Sequence, residues 1–238
     1  MINFILLAIL VAVTYFVALE GPQGAAITLA SVLLSGLIAM NFFEPFAALL
    51  AGTLGNAVTW QHRVDIMALL GLFAFSTTIL RTLGDKLFPT YAEVPVLVYE
   101  LSRWGLGLAS GYLTMAIILT SLHVAPLPRD FIGFTPEGNN FLSINAPDRQ
   151  WLAFTQYVSE KSLRISPSRG SRIFDGPVFA ANPDDISSQR VWSTFPIRYA
   201  ARRQQYTTGS AGSTPAGPTT EPPPTGGGVP AASGGGGF

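Results

Sequence analysis

The chain has no cysteine and only two histidines, His62 and His123, in 238 residues. The lack of cysteine excludes disulfide bonds, thiolate catalysis and cysteine-ligated zinc or iron–sulfur sites. The two histidines belong to different segments, and neither is part of an H-E-x-x-H pattern or a similar metal-ligand spacing. The sequence therefore predicts no metal site and no cofactor.

Sequence motifs of common enzymes are missing as well. The chain has no G-x-S-x-G nucleophile turn, no G-x-x-x-x-G-K-[ST] phosphate loop and no G-x-G-x-x-G that follows a strand. The four consecutive glycines at 234–237 belong to a terminal low-complexity segment. We therefore predict no catalytic residues and expect that the protein is not an enzyme.

Charge is also scarce. Charged residues make up 12% of the chain, about half of the roughly 25% typical of soluble proteins, while 48% of residues are hydrophobic. The net charge is zero, so no basic field indicates nucleic-acid binding. Residues 1–124 hold only ten of the charged side chains. This distribution predicts a transmembrane domain at 1–124, a polar, loop-rich extension at 125–206, and a disordered tail at 207–238 that is rich in Gly and Pro.

Four apolar segments are long enough to cross a hydrocarbon layer of about 30 Å; three carry no charge, and the third carries only Asp65, in its first turn. We therefore predict an all-α membrane protein whose partner is the lipid bilayer. The first segment has no basic residue before it, so we interpret it as an uncleaved span rather than a signal peptide. The basic residues near the span ends, two on one side and three on the other, give no orientation. The predicted spans are residues 2–19, 25–43, 64–80 and 104–122.

The connections between these spans carry their own signals. Gly21 and Pro22 predict a very short turn after the first span. Glu44-Pro45 is expected to end the second helix. The following apolar segment, 46–60, has only 15 residues, a length typical of interfacial or re-entrant helices. We therefore predict a separate interfacial or re-entrant helix there.

Three glycines, Gly105, Gly107 and Gly111, lie at one end of the fourth span. Gly107 and Gly111 form a G-x-x-x-G pattern, which lets two helix backbones approach closely in lipid. We favour helix packing within one chain, and an interface between copies of the chain is the alternative. The same pattern therefore predicts either an intramolecular contact or a homo-oligomer.

Glu100 and Arg103 are three residues apart on the same predicted helix and can pair. Because they lie where the apolar run begins, we interpret them as an ion pair at the membrane boundary. The alternative is a role in gating or ion passage. The middle of each predicted span has no charged residue, which argues against a proton-coupled transporter.

The clearest element of the polar extension is a helix predicted near 148–162. Asp148 is a plausible N-cap, and the apolar residues that follow recur at helical spacing. We favour packing of this helix on a small C-terminal subdomain, and a helix lying on the bilayer surface is the alternative.

Three parts of the membrane domain resemble the colicin V production protein (CvpA) family over roughly residues 1–125. They are the glycine-containing turn EGPQG at 20–24, the aromatic and Ala-rich run AMNFFEPFAALL at 39–50, and the small-residue helix LSRWGLGLASG at 101–111. The chain differs from the family pattern in lacking a basic residue in the first loop and in its long C-terminal extension.

This resemblance implies a small, multi-pass protein of the bacterial inner (plasma) membrane. It further implies a non-enzymatic scaffold or accessory factor in toxin export or envelope maintenance, with other membrane proteins as partners. The alternative hypothesis is a small oligomeric channel or transporter subunit in which the glycine-rich fourth span packs around a pore, with Glu100 and Arg103 at its mouth.

Overall fold

The computed structural model describes residues 1–54, 58–89, 95–128, 131–136 and 138–162, together with Phe174, Phe195 and Tyr199. These residues form helices and loops, with only two isolated β-bridges and no strand. The predicted all-α fold class is confirmed. The helices are α1 (Ile2–Leu19), α2 (Gly21–Leu54), α3 (Val58–Leu87), α4 (Val96–Val124) and α5 (Pro147–Tyr157), the last followed by a π-helical turn at Val158–Ser162.

Helices α1 to α4 are all long and apolar enough to cross a membrane. The shortest, α1, has 18 residues and is therefore about 27 Å long, close to the hydrocarbon thickness. The other three have 34, 30 and 29 residues and extend well beyond that thickness. Each predicted span falls within one of these four helices, and the chain is a multi-pass membrane protein.

The four long helices run alternately up and down, but neighbours in sequence are not always neighbours in space. Helix α2 packs chiefly against α3, and α1 packs chiefly against α4, with a smaller contact to α2. A contact between α2 and α4 joins the two pairs. The bundle therefore has a turn end, where Glu20 links α1 to α2, and an α5 end, where α4 finishes and α5 lies.

Helix α2 corrects the prediction of a break at Glu44-Pro45. The helix continues through Pro45 to Leu54, so residues 46–54 belong to α2 rather than to a separate interfacial helix. Proline inside a helix costs about 3 kcal/mol because a backbone hydrogen bond is lost. Phe43 and Ala47, on either side of Pro45, are both buried in the main core. We infer that this packing offsets the local preference for a break.

The first turn is as short as the sequence predicts. Only Glu20 lies between α1 and α2, and α2 begins at Gly21. The φ angle of Gly21 is +80°, a left-handed conformation that glycine adopts without the strain a side chain would cause. Pro22 then lies in the first helical turn, where its missing N–H costs no hydrogen bond.

Helix α5 packs on the membrane helices themselves, which corrects the predicted packing on a separate C-terminal subdomain. Trp151 and Leu152 are buried in the same core cluster as residues of α2, α3 and α4. The predicted capping role of Asp148 is also wrong, because the N-cap residue is Ala146 and Asp148 lies in the first turn. The tail predicted to be disordered, 207–238, lies outside the described residues.

Candidate functional site

The α5 end of the bundle holds a buried polar contact between two elements. Nε2 of His123, at the end of α4, lies 2.7 Å from Oδ2 of Asp148, at the start of α5. Both side chains are 0% exposed. Because polar groups are expensive to bury without partners, this hydrogen bond fixes the position of α5 relative to α4.

Trp151 completes this contact one helical turn further along α5. A Cβ atom on Gly36 of α2 would lie 2.6 Å from the Trp151 ring, closer than real atoms approach. Only glycine at position 36 therefore leaves room for the indole. We call His123, Asp148 and Trp151 the docking cluster, because these residues hold α5 on α4 and α2.

Apolar rings surround the docking cluster. The ring of His123 meets Phe134 edge-on at 5.1 Å and Phe195 at 6.5 Å. Three polar atoms of the cluster have no hydrogen-bond partner among the described residues: Nδ1 of His123, Oδ1 of Asp148 and Nε1 of Trp151. A His–Asp couple can orient an imidazole as a base, as in hydrolases, but this one is closed to solvent on every side. The contact joins the end of α4 to the start of α5.

The turn end of the bundle holds a second polar group, which we call the turn cluster: Glu20, Thr28, Arg81 and Asp85. Nη2 of Arg81 lies 2.6 Å from Oε2 of Glu20. Nη1 of Arg81 donates to Oγ1 of Thr28 at 2.6 Å, and Nε lies 3.5 Å from Oδ2 of Asp85. This cluster ties the α1–α2 turn to the last turns of α3.

Beside the turn cluster, a pocket of about 810 Å³ opens between the start of α2 and the end of α3. Its lining is mostly aliphatic, with Ala26, Ala30 and Leu34 along α2 and Leu83 and Leu87 along α3. Its polar lining residues include Glu20, Gln23 and Tyr99. This volume and composition are typical of a small-molecule or lipid pocket.

The predicted pair of Glu100 and Arg103 forms a salt bridge in the first turns of α4. Nε and Nη2 of Arg103 both donate to Oε2 of Glu100, at 2.9 and 2.7 Å. The guanidinium also lies 5.5 Å from the ring centroids of both Tyr99 and Trp104. These four residues share the exposed start of α4, so the pair has local partners on its own helix.

The three glycines of α4 differ in how closely other helices approach them. A Cβ atom on Gly107 would lie 2.9 Å from the carbonyl oxygen of Thr14, and one on Gly111 would lie 2.8 Å from that of Leu10. Both glycines therefore form the close contact between α4 and α1 within one chain. No atom lies within 4 Å of the corresponding point on Gly105.

Among the described residues, no group of three His, Asp or Glu side chains could hold a metal ion. The side chain of His62, the other histidine of the sequence, is outside the described residues.

Sequence reasoning did not find the docking cluster or the turn cluster. His123 and Asp148 belong to separate segments, and Glu20 and Arg81 lie at the ends of different helices. One signal was available for three of them, since Glu20, Arg81 and His123 each lie directly at the end of an apolar run, whereas Asp148 does not. Such positions favour pairing between elements that meet at one end of a bundle.

The described residues define an all-α, multi-pass membrane protein whose fifth helix is docked on the four long helices. Comparison of the chain with protein-family models, with curated proteins and with solved structures gave no match in any of the three.

Proposed function

We propose that this protein is a non-enzymatic membrane scaffold or accessory factor that holds its C-terminal extension in a fixed position at the membrane surface. The docked α5 carries this proposal. His123, Asp148 and Trp151 are buried, and they join α5 to α4 and α2. A segment fixed in this way at the exit of the last span can present the chain after it to a partner at one height above the bilayer.

The resemblance to the colicin V production family adds a cellular context to the proposal. We propose that the protein acts in the bacterial inner membrane, in toxin export or envelope maintenance, and that its partners are other membrane proteins. The competing hypothesis is an oligomeric channel. The packing of Gly107 and Gly111 against α1 supports the scaffold, because these glycines are engaged within one chain.

The first test is ion flux through vesicles that contain the full purified chain. A scaffold predicts proton and potassium leakage no faster than in protein-free vesicles, at every protein-to-lipid ratio. Leakage that rises with the amount of protein would overturn the proposal and support the channel.

The second test asks whether function depends on docked α5. In cells that lack the gene, the wild-type chain should restore resistance to detergent, whereas Gly36→Ala should not, because its Cβ displaces Trp151. Gly71→Ala is the matched control, since no atom lies within 4 Å of that position. Both variants should reach the membrane in equal amounts. Full restoration by Gly36→Ala would contradict a role for the docked helix.

A further inference from the structure

We propose that the first part of the extension, α5 and the loop before it, inserts exposed apolar side chains into the lipid leaflet around the α5 end of the bundle. The partner of this surface is then the boundary between the acyl chains and the headgroups of the bilayer. Five large side chains of this part of the chain are exposed, from 37% for Phe154 to 74% for Ile144. We call them the apolar collar: Ile132, Leu142, Ile144, Phe154 and Tyr157.

The loop between α4 and α5 is held at the level of the first residues of α1. The backbone N–H of Ile2 donates to the carbonyl oxygen of Ile132 at 3.0 Å, and that of Leu142 donates to Oδ1 of Asn3 at 3.0 Å. Helix α1 is about 27 Å long and the acyl layer is about 30 Å thick, so both ends of α1 lie close to the edges of that layer. The exposed side chains of the loop therefore lie at the edge of the acyl layer.

Helix α5 begins near this level, and its side chains reach further towards the bilayer centre. The indole of Trp151 packs against Gly36, which lies about 22 Å along α2 from the turn end, less than the length of α1. The hydroxyl of Tyr112 donates to Oε1 of Gln150. Tyr112 directly follows Gly111, which faces the middle of α1. Side chains of α5 therefore extend below the edge of the acyl layer.

The two sides of α5 differ as those of an interfacial helix do. Arg149 and Phe154 lie about 140° apart around the helix. Nη2 of Arg149 donates to the carbonyl oxygen of Gly138 at 3.1 Å and to Oδ1 of Asn139 at 2.7 Å, so the loop lies along that side of α5. A charged side and an aromatic side are typical of helices that lie in the plane of the membrane interface. In that arrangement Arg149 faces water and Phe154 faces the acyl chains.

An apolar crevice of about 230 Å³ lies between Phe154 and the side of the bundle. Its lining includes Leu33 of α2 and Leu113 and Ala116 of α4, which belong to the membrane-spanning helices. Water finds few hydrogen-bond partners in such a crevice, whereas an acyl chain fills it without loss. The apolar collar is therefore continuous with the lipid-facing surface of the spans, and this continuity favours lipid as its partner.

Spin labelling tests this proposal, because the chain has no cysteine and a single introduced cysteine takes the only label. Phe154→Cys and Ile144→Cys carry a nitroxide on the apolar collar of the full chain, reconstituted in dioleoyl phosphatidylcholine vesicles. Power saturation compares collisions with oxygen, which concentrates among acyl chains, and with a neutral nickel complex, which stays in water. We expect the ratio of oxygen to nickel accessibility to exceed that at a water-facing position by about tenfold, because a polar complex loses its hydration in hydrocarbon.

Two further labelled positions calibrate the measurement. Val11→Cys, at an exposed position halfway along α1, reports the acyl layer, and Asn139→Cys, on the Arg149 side of α5, reports water. Tyr157→Cys, at a more exposed position of the same helix, repeats the test if Phe154→Cys loosens α5. A collar ratio equal to that of Asn139→Cys would place the collar in water, and shielding from both reagents would mean that protein covers it. Either result would show the proposal to be wrong.

Discussion

The two ends of the helix bundle each join separate elements through an acid and a base, but they do so in opposite surroundings. At the turn end, the side chains of Glu20 and Arg81 remain 36% and 26% exposed. At the α5 end, His123 and Asp148 are 0% exposed and lie among aromatic rings. Water can reach the first pair if it breaks, whereas the free nitrogen and oxygen of the second pair, Nδ1 of His123 and Oδ1 of Asp148, have no hydrogen-bond partner in the part of the chain that the structure describes.

This difference shows that contact distance alone does not measure how much a pair matters. The two contacts are nearly equal in length, at 2.6 and 2.7 Å. Exposed ion pairs contribute about 0–1 kcal/mol, because water competes for both partners. Removing one partner of a buried pair costs about 3–5 kcal/mol when a charge is left behind, and about 1–3 kcal/mol when a neutral group loses its hydrogen bond. The α5 end should therefore be much more sensitive to mutation than the turn end.

The largest expected effect is that of Asp148→Ala. It leaves Nε2 of His123 buried without a partner, so we expect a loss of about 3 kcal/mol in the free energy of unfolding. The measurement is unfolding of the full chain in mixed micelles as the fraction of a denaturing detergent rises. Asp85→Ala, at a half-exposed carboxylate of the turn cluster, is the control and should change the midpoint little. Equal losses for the two variants would remove the contrast between the two ends.

A second, smaller effect is expected where α4 meets α1. Gly107→Leu places side-chain atoms against the backbone of Thr14, and this overpacking should cost about 2 kcal/mol. Gly105→Leu introduces the same side chain two residues away, where no atom lies within 4 Å, and should be nearly neutral. Thermal unfolding in detergent compares them directly. Strong destabilisation by Gly105→Leu instead would indicate that copies of the chain pack through that face.

The sequence predicts the four long helices because the bilayer imposes a length and a polarity on any segment that crosses it. It does not predict that α2 continues through Pro45, since that depends on Phe43 and Ala47 becoming buried by elements elsewhere in the chain. Local preference and tertiary packing oppose each other at Pro45, and packing decides the outcome.

For the candidate sites, too, the sequence predicts contacts within one helix but not contacts that depend on how separate elements pack. The pairing of Glu100 with Arg103 is local and follows from helical spacing. The spacing of Gly105, Gly107 and Gly111 predicts a close helix contact, but which glycines make it depends on the angle at which α1 meets α4. The docking cluster depends on a loop that returns α5 to the bundle, and neither propensity nor periodicity encodes that return.

The third prediction concerns the turn end. A double-mutant cycle with Glu20→Gln and Arg81→Gln should give a coupling free energy of about 1 kcal/mol, measured by detergent unfolding. The coupling should shrink as salt is raised, because both side chains are partly exposed. A coupling of several kcal/mol that does not depend on salt would indicate that the turn cluster is as sealed as the docking cluster.

The smallest effect is expected for Glu100→Gln. The Glu100 and Arg103 side chains are 47% and 25% exposed and three residues apart on one helix, so the pair should contribute at most about 0.5 kcal/mol. Arg103 also keeps its contacts with the rings of Tyr99 and Trp104 when the carboxylate is removed. Arg103→Gln, which loses both kinds of contact, should therefore destabilise the chain more than Glu100→Gln. If Glu100→Gln were the more damaging of the two, the carboxylate would have a further partner, and the pair would no longer be a boundary contact confined to α4.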